Sequence, residues 1–89
     1  MKLTILDGRM MTDRGAAHDY LAEALQLPDY YGHNLDALAD CLSEMRPEDY
    51  IILEHTEDLT DQLGEYGGRM LEMLKEISAS GGPTVIMLY

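Results

Sequence analysis

Residues 50–54 read YIILE, a near-continuous apolar run of the kind found in strands buried on both faces of a parallel sheet. Two further runs share its character. KLTIL at 2–6 sets Leu3 and Ile5 on one side and closes on the turn signal Asp7-Gly8, and TVIMLY at 84–89 ends the chain. Strands this far apart leave room for helical crossovers, and the intervening segments carry helical patterns. Thr12 and Asp13 are good N-caps, and Ala17, Tyr20, Leu21, Ala24 and Leu25 recur at helical spacing until Pro28 stops the run. Asn34 caps a second helix, LDALADCLSEM, over 35–45, which ends before Pro47. The acidic segment 55–67, HTEDLTDQLGEYG, predicts a short helix and then a glycine break. After Gly67-Gly68, the repeat Met70, Met73, Leu74, Ile77 predicts a last helix over 69–80, closed by Gly81-Gly82-Pro83.

The resulting order, β-α-α-β-α-α-β, predicts one α/β domain over 1–89. Its architecture is two-layer: a three-stranded parallel sheet with right-handed crossovers, packed against helices. A chain of this length buries only about 60–65% of its unfolded surface, so the core is thin. Trp and Phe are absent, and Met, Leu and Tyr must fill it.

Seventeen Asp and Glu against six Lys and Arg leave a net charge of −11. Nucleic-acid binding draws on basic groups that neutralise phosphates, so direct nucleic-acid or anionic-membrane binding is not expected. A basic partner fits this surface, and so does a plain role of the charge in solubility. The lone Cys41 cannot form an internal disulfide, the N-terminal apolar run is too short for a signal segment, and no stretch approaches a membrane span. These features together predict a cytoplasmic protein.

The segment YYGHNLDALADCL after Asp29 concentrates the unusual choices. On a helical wheel Leu35, Leu38, Leu42 and Met45 form the core seam, and Asp36, Ala39, Asp40 and Ser43 share the adjoining arc. Carboxylates at i and i+4 repel, and Asp is a poor helix former, so the helix tolerates a local penalty here. Three readings fit this arc: a solvated face, a metal site drawing on His33, Asp36 and Asp40, or a protein interface. Carboxylates dominate and no second His lies nearby, which counts against metal. Two adjacent tyrosines in a bend, Tyr30 and Tyr31, suit an interface in which one packs inward and one faces out. Gly32 supplies a turn conformation or a close backbone approach.

Signatures of catalysis are missing: the chain has no P-loop, GxSxG, HExxH or paired CxxC, and no cofactor or enzymatic role is expected. Cys41 reads as a small buried hydrophobe. His18 and His55 read as ordinary surface or strand-end residues. Glu72 and Glu76 read as a polar face offset by Arg69 and Lys75.

LPDYYGHNLDALADCL at 27–42 resembles the signature of the barstar family, small cytoplasmic inhibitors of secreted guanyl-preferring ribonucleases of the barnase type. The match is long and ungapped, and it continues more loosely over nearly the whole chain. The resemblance implies a three-stranded parallel sheet covered by helices, and a 1:1 inhibitory complex with a barnase-like ribonuclease or a related nuclease toxin. It implies that Asp40 occupies the substrate phosphate site, that Asp36 pairs with another cleft arginine, and that Tyr30 packs on the catalytic histidine of the nuclease. Tyr31, Gly32, Asn34 and Leu35 would contribute at the rim, and Ser43 sits where a small hydroxyl residue is usual. Glu76 matches a further acidic contact. The chain departs from the best-known member at Ala39, which replaces a tryptophan, and at Glu44-Met45, which replace a glycine and a second tryptophan. The alternative is an acidic interaction domain that regulates a different basic partner.

Overall fold

Asn34 and Asp13, each in extended conformation, cap helices by accepting the backbone N–H three residues on, at 2.8 Å in both cases. Those caps start α1 (Arg14–Ala24) and α2 (Leu35–Ser43) in a computed structural model that describes all 89 residues. The strands are β1 (Leu3–Asp7), β2 (Tyr50–Glu54) and β3 (Thr84–Met87), and α3 (Thr56–Leu63) and α4 (Glu65–Ala79) lie between the last two. A single 3-10 turn, Gly8–Met10, follows β1. The sheet is parallel with order β1-β2-β3, and its register sets Ile5 beside Ile52 and Ile52 beside Ile86.

Alternation along the strands decides where the core lies. Leu6, Ile51 and Leu53 point to the helical layer, where they join Leu21 of α1, Leu38 and Leu42 of α2, and Met70 and Leu74 of α4. The opposite face stays open: Leu3 is 58% exposed, Ile5 56% and Ile86 40%. The expectation that YIILE is buried on both faces is therefore corrected. Ile51 and Leu53 are fully buried, but Tyr50 is exposed and Ile52 only half-buried. An apolar run of five residues cannot distinguish a sandwiched strand from a central strand of a two-layer domain. The same geometry puts Leu3 and Ile5 outside and Thr4 and Leu6 inside.

Helix boundaries differ from the sequence reading for local reasons. α1 stops at Ala24, before Pro28 acts, because Gln26 turns left-handed at φ 54°. Leu27 then donates to the Ala22 carbonyl at 2.9 Å and Gln26 to the Glu23 carbonyl at 3.2 Å, the paired bonds of a Schellman ending. α2 stops at Ser43 rather than Met45.

The glycine break expected after the short helix falls at Gly64, with φ 61° and ψ −135°, and the last helix starts there at Glu65 rather than after Gly67-Gly68. α4 runs straight through those two glycines. Gly67 serves packing instead: a Cβ there would lie 3.1 Å from both Leu59 and Leu63, so its absence lets α4 settle onto α3.

Candidate protein-binding face

The bend between α1 and α2 is held from three directions. Tyr31 N–H donates to the Pro28 carbonyl at 2.9 Å. His33, left-handed at φ 54°, donates from Nδ1 to the Tyr31 carbonyl at 2.9 Å, and its Nε2 lies 3.3 Å from Asp19. Asn34 caps α2 through Oδ1 and donates from Nδ2 to the Gly32 carbonyl at 3.2 Å. The left-handed residue of the bend is thus His33 rather than Gly32. Asn and His tolerate that conformation better than most side chains, which explains why a glycine is not required at position 33.

This bend separates the two tyrosines. Tyr30 is 86% exposed and Tyr31 only 5%. Burial of Tyr31 corrects its place among the candidate contact residues, since its ring supports the bend from below. Beneath it lies a group that sequence reasoning missed. His18 is 1% exposed, and its two ring nitrogens meet the hydroxyls of Tyr31 and Tyr66. A neutral imidazole has one donor and one acceptor, so one tyrosine donates to it and the other accepts. The expectation of a surface His18 is corrected. Its neighbours Ala17 and Leu21 on the buried side of α1 were the available signal; its partners, 13 and 48 residues away, left none.

Burial holds the His18 pKa below its ordinary 6.5, helped by the positive charges of His33 and Arg14 and opposed by Asp19. Burial likewise pushes the Tyr31 phenol up, so it stays protonated. The sign of the linkage follows. An unfolded chain takes a proton at His18 at higher pH than the folded protein does, so stability from the neutral cluster is complete above pH 6.5 and is lost as pH falls through the depressed value. Urea unfolding midpoints should decline on acidification from about pH 7.5 to about pH 5, and His18→Gln should flatten that decline. An equally steep decline in the variant would place the titrating group elsewhere.

On α2 the seam is as expected: Leu38 and Leu42 are buried, and Leu35 and Met45 half-buried against the core. Asp36, Asp40, Ser43 and Glu44 are exposed, and Ala39 is half-buried between the carboxylates. Neither carboxylate forms an ion pair or accepts a side-chain hydrogen bond, although Ser43 Oγ donates to the Asp40 carbonyl at 2.8 Å. α2 has no basic residue in its last turn. Glu76 is exposed on α4, which packs beside α2. Cys41 is half-buried, and burial raises its pKa, with Glu44 and Asp40 adding to the effect.

Between α2, α4 and the start of α1 lies a depression of about 420 Å³. Its walls include Asp36 and Ala39 on one side and Arg14, Tyr66, Arg69 and Met73 on the other. The Arg14 guanidinium stands 4.0 Å over the Tyr66 ring and that of Arg69 5.5 Å. Arg69 makes no ion pair with Glu72 or Glu76, although it lines a neighbouring depression with both and with Glu65; Lys75 comes within 4.0 Å of Glu72.

What this arrangement offers is a strip of unpaired carboxylates and an exposed tyrosine, mounted on a bend held by hydrogen bonds. The family described as "Barstar (barnase inhibitor)" has a sequence model that matches residues 1–88. A protein of Bacillus subtilis (strain 168) named "Putative ribonuclease inhibitor YrdF" is 39% identical over 77 residues, which cover 85% of this chain and 85% of that protein.

Proposed function

The chain belongs to the barstar family, and from that premise we propose that it is a stoichiometric inhibitor of a ribonuclease, closing the enzyme's cleft with α2 and the bend before it. The observation that carries the reading is the pair Asp36 and Asp40: exposed, one turn apart, and without a cationic partner inside the protein. A cleft that binds RNA phosphates is lined with positive groups. A carboxylate entering it takes the place of a substrate phosphate in a desolvated setting, where bonds to Arg are short and often bidentate. Asp40 is assigned to that phosphate position, Asp36 to a second cleft arginine, and Tyr30 to packing against the catalytic histidine. Gly32, Asn34, Leu35, Ala39, Ser43, Glu44 and Glu76 complete the rim. The net charge of −11 adds steering of the encounter with a basic enzyme.

This role requires no catalysis and no cofactor, and it suits a cytoplasmic immunity protein that neutralises a ribonuclease toxin. Titration against a panel of small secreted ribonucleases tests it: inhibition should saturate at one inhibitor per enzyme. Ala39 favours a second reading, regulation of a different basic protein, because it removes the aromatic area found in the best-known family member. Absence of inhibition at micromolar concentration across the panel would favour that reading.

A further inference from the structure

Among six cations, three are paired on the surface: Arg9 with Asp7 at 2.9 Å, Arg46 with Glu48 at 3.9 Å and Lys75 with Glu72 at 4.0 Å. The Arg14 and Arg69 guanidinium groups make no ion pair and donate no hydrogen bond, in a chain with seventeen acids to choose from. Instead, both converge on the Tyr66 ring at the edge of the depression beside Ala39. Tyr66 is itself fixed from behind through its hydroxyl to His18. Contact of a guanidinium with an aromatic face leaves its N–H donors available, and the planar fork matches a carboxylate.

We propose that Arg14, Tyr66 and Arg69 form a specificity notch, which receives an acidic side chain of the partner ribonuclease next to the phosphate-mimicking helix. The proposal rests on the inhibitor reading and deepens it. Ala39 is what makes the notch accessible, since a larger side chain at that position would lean over a space of about 420 Å³. Asp36, on the opposite wall, addresses a partner cation, so the face as a whole fits a partner that presents an arginine and a carboxylate side by side. A ribonuclease lacking that carboxylate would leave two guanidinium groups desolvated without a partner, which is a means of rejecting it.

Long-range charge makes the opposite prediction, and this gives the test its sign. If the two arginines only relieve self-repulsion of the acidic chain, their removal makes the protein more negative and should speed association with a basic enzyme. The notch requires the reverse. Inhibition constants for Arg69→Gln and Arg14→Gln, measured against a ribonuclease that the unaltered protein inhibits, should be weaker by about tenfold or more, with the loss in the dissociation rate. Arg69→Glu should bind more weakly still, and a Lys replacing the facing carboxylate on the ribonuclease should restore binding to it. Because Arg69 stands farther from the ring, Arg69→Gln is the decisive variant should Arg14→Gln unfold in urea controls.

Unchanged or tighter inhibition by folded Arg69→Gln overturns the notch. Asp40→Ala in the same assay separates the two ideas. If it weakens inhibition while Arg69→Gln does not, the inhibitor reading stands and the notch falls. A panel in which nothing is inhibited overturns both.

Discussion

Replacing Asp40 with alanine should weaken the complex with the partner ribonuclease by more than about 2 kcal/mol, the level that separates hot spots from the rest of an interface. The barnase–barstar complex, from the family this chain belongs to, is itself a standard example of charged hot spots and of electrostatic steering. The physical reason is asymmetry. With the carboxylate gone, cleft cations that bind a phosphate are left desolvated and unpaired, and that penalty adds to the lost attraction. Asp36→Ala should weaken binding less, and Glu57→Ala, exposed on α3, should leave short-range contacts unchanged. The protein's own stability should move the other way. Asp40 lies toward the C-terminal end of α2, where no basic residue offsets the helix dipole, and one turn from the like charge of Asp36. Its removal should therefore hold or raise the urea midpoint, by a few tenths of a kcal/mol. Calorimetric titration and urea unfolding of one preparation test both statements, and unchanged inhibition would remove Asp40 from the phosphate position.

Legibility in the sequence followed the range of the interaction concerned. Helix starts at Asp13 and Asn34, the inward seam of Leu38 and Leu42, and the placement of three strands all depend on neighbours within a turn or two. Those features read correctly. Gly67 could not be read, because its small size serves a contact with Leu59 and Leu63 that exists only once α3 and α4 have folded together. In the sequence it looks the same as a helix-breaking glycine, and Gly64, the true break, is the less conspicuous of the two positions. His18 was missed for the same reason, since its character comes from Tyr31 and Tyr66. The acidic strip of α2 was visible as a pattern, whereas the Arg14, Tyr66 and Arg69 wall facing it comes from three places in the chain. Periodicity locates an acidic arc on a helix; it says nothing about what stands across the groove from it.

Leu42→Ala should produce the complementary result, a loss of about 2–5 kcal/mol in stability with the binding chemistry intact. Leu42 is fully buried in the centre of the core cluster, and a truncation there leaves a cavity that neighbours fill only partly. α2 has nine residues, too few to persist as a helix alone, so its position depends on Leu38 and Leu42 reaching the layer formed by Ile51, Leu53, Met70 and Leu74. A domain this small holds roughly 5–15 kcal/mol in total, so the variant gives up a large share of it. The urea midpoint should fall with the slope unchanged, because the surface exposed on unfolding is nearly the same. Inhibition per folded molecule should stay near that of the unaltered protein, since Asp36, Asp40 and Tyr30 all lie outside the core that Leu42 fills. A loss below about 1 kcal/mol would mean that Met70 and its neighbours in the core close over the missing side chain, as flexible thioether chains can. In that event the rigidity of the bend, fixed by Asn34, His33 and the His18 cluster rather than by the leucine seam, would be what keeps the two carboxylates in position.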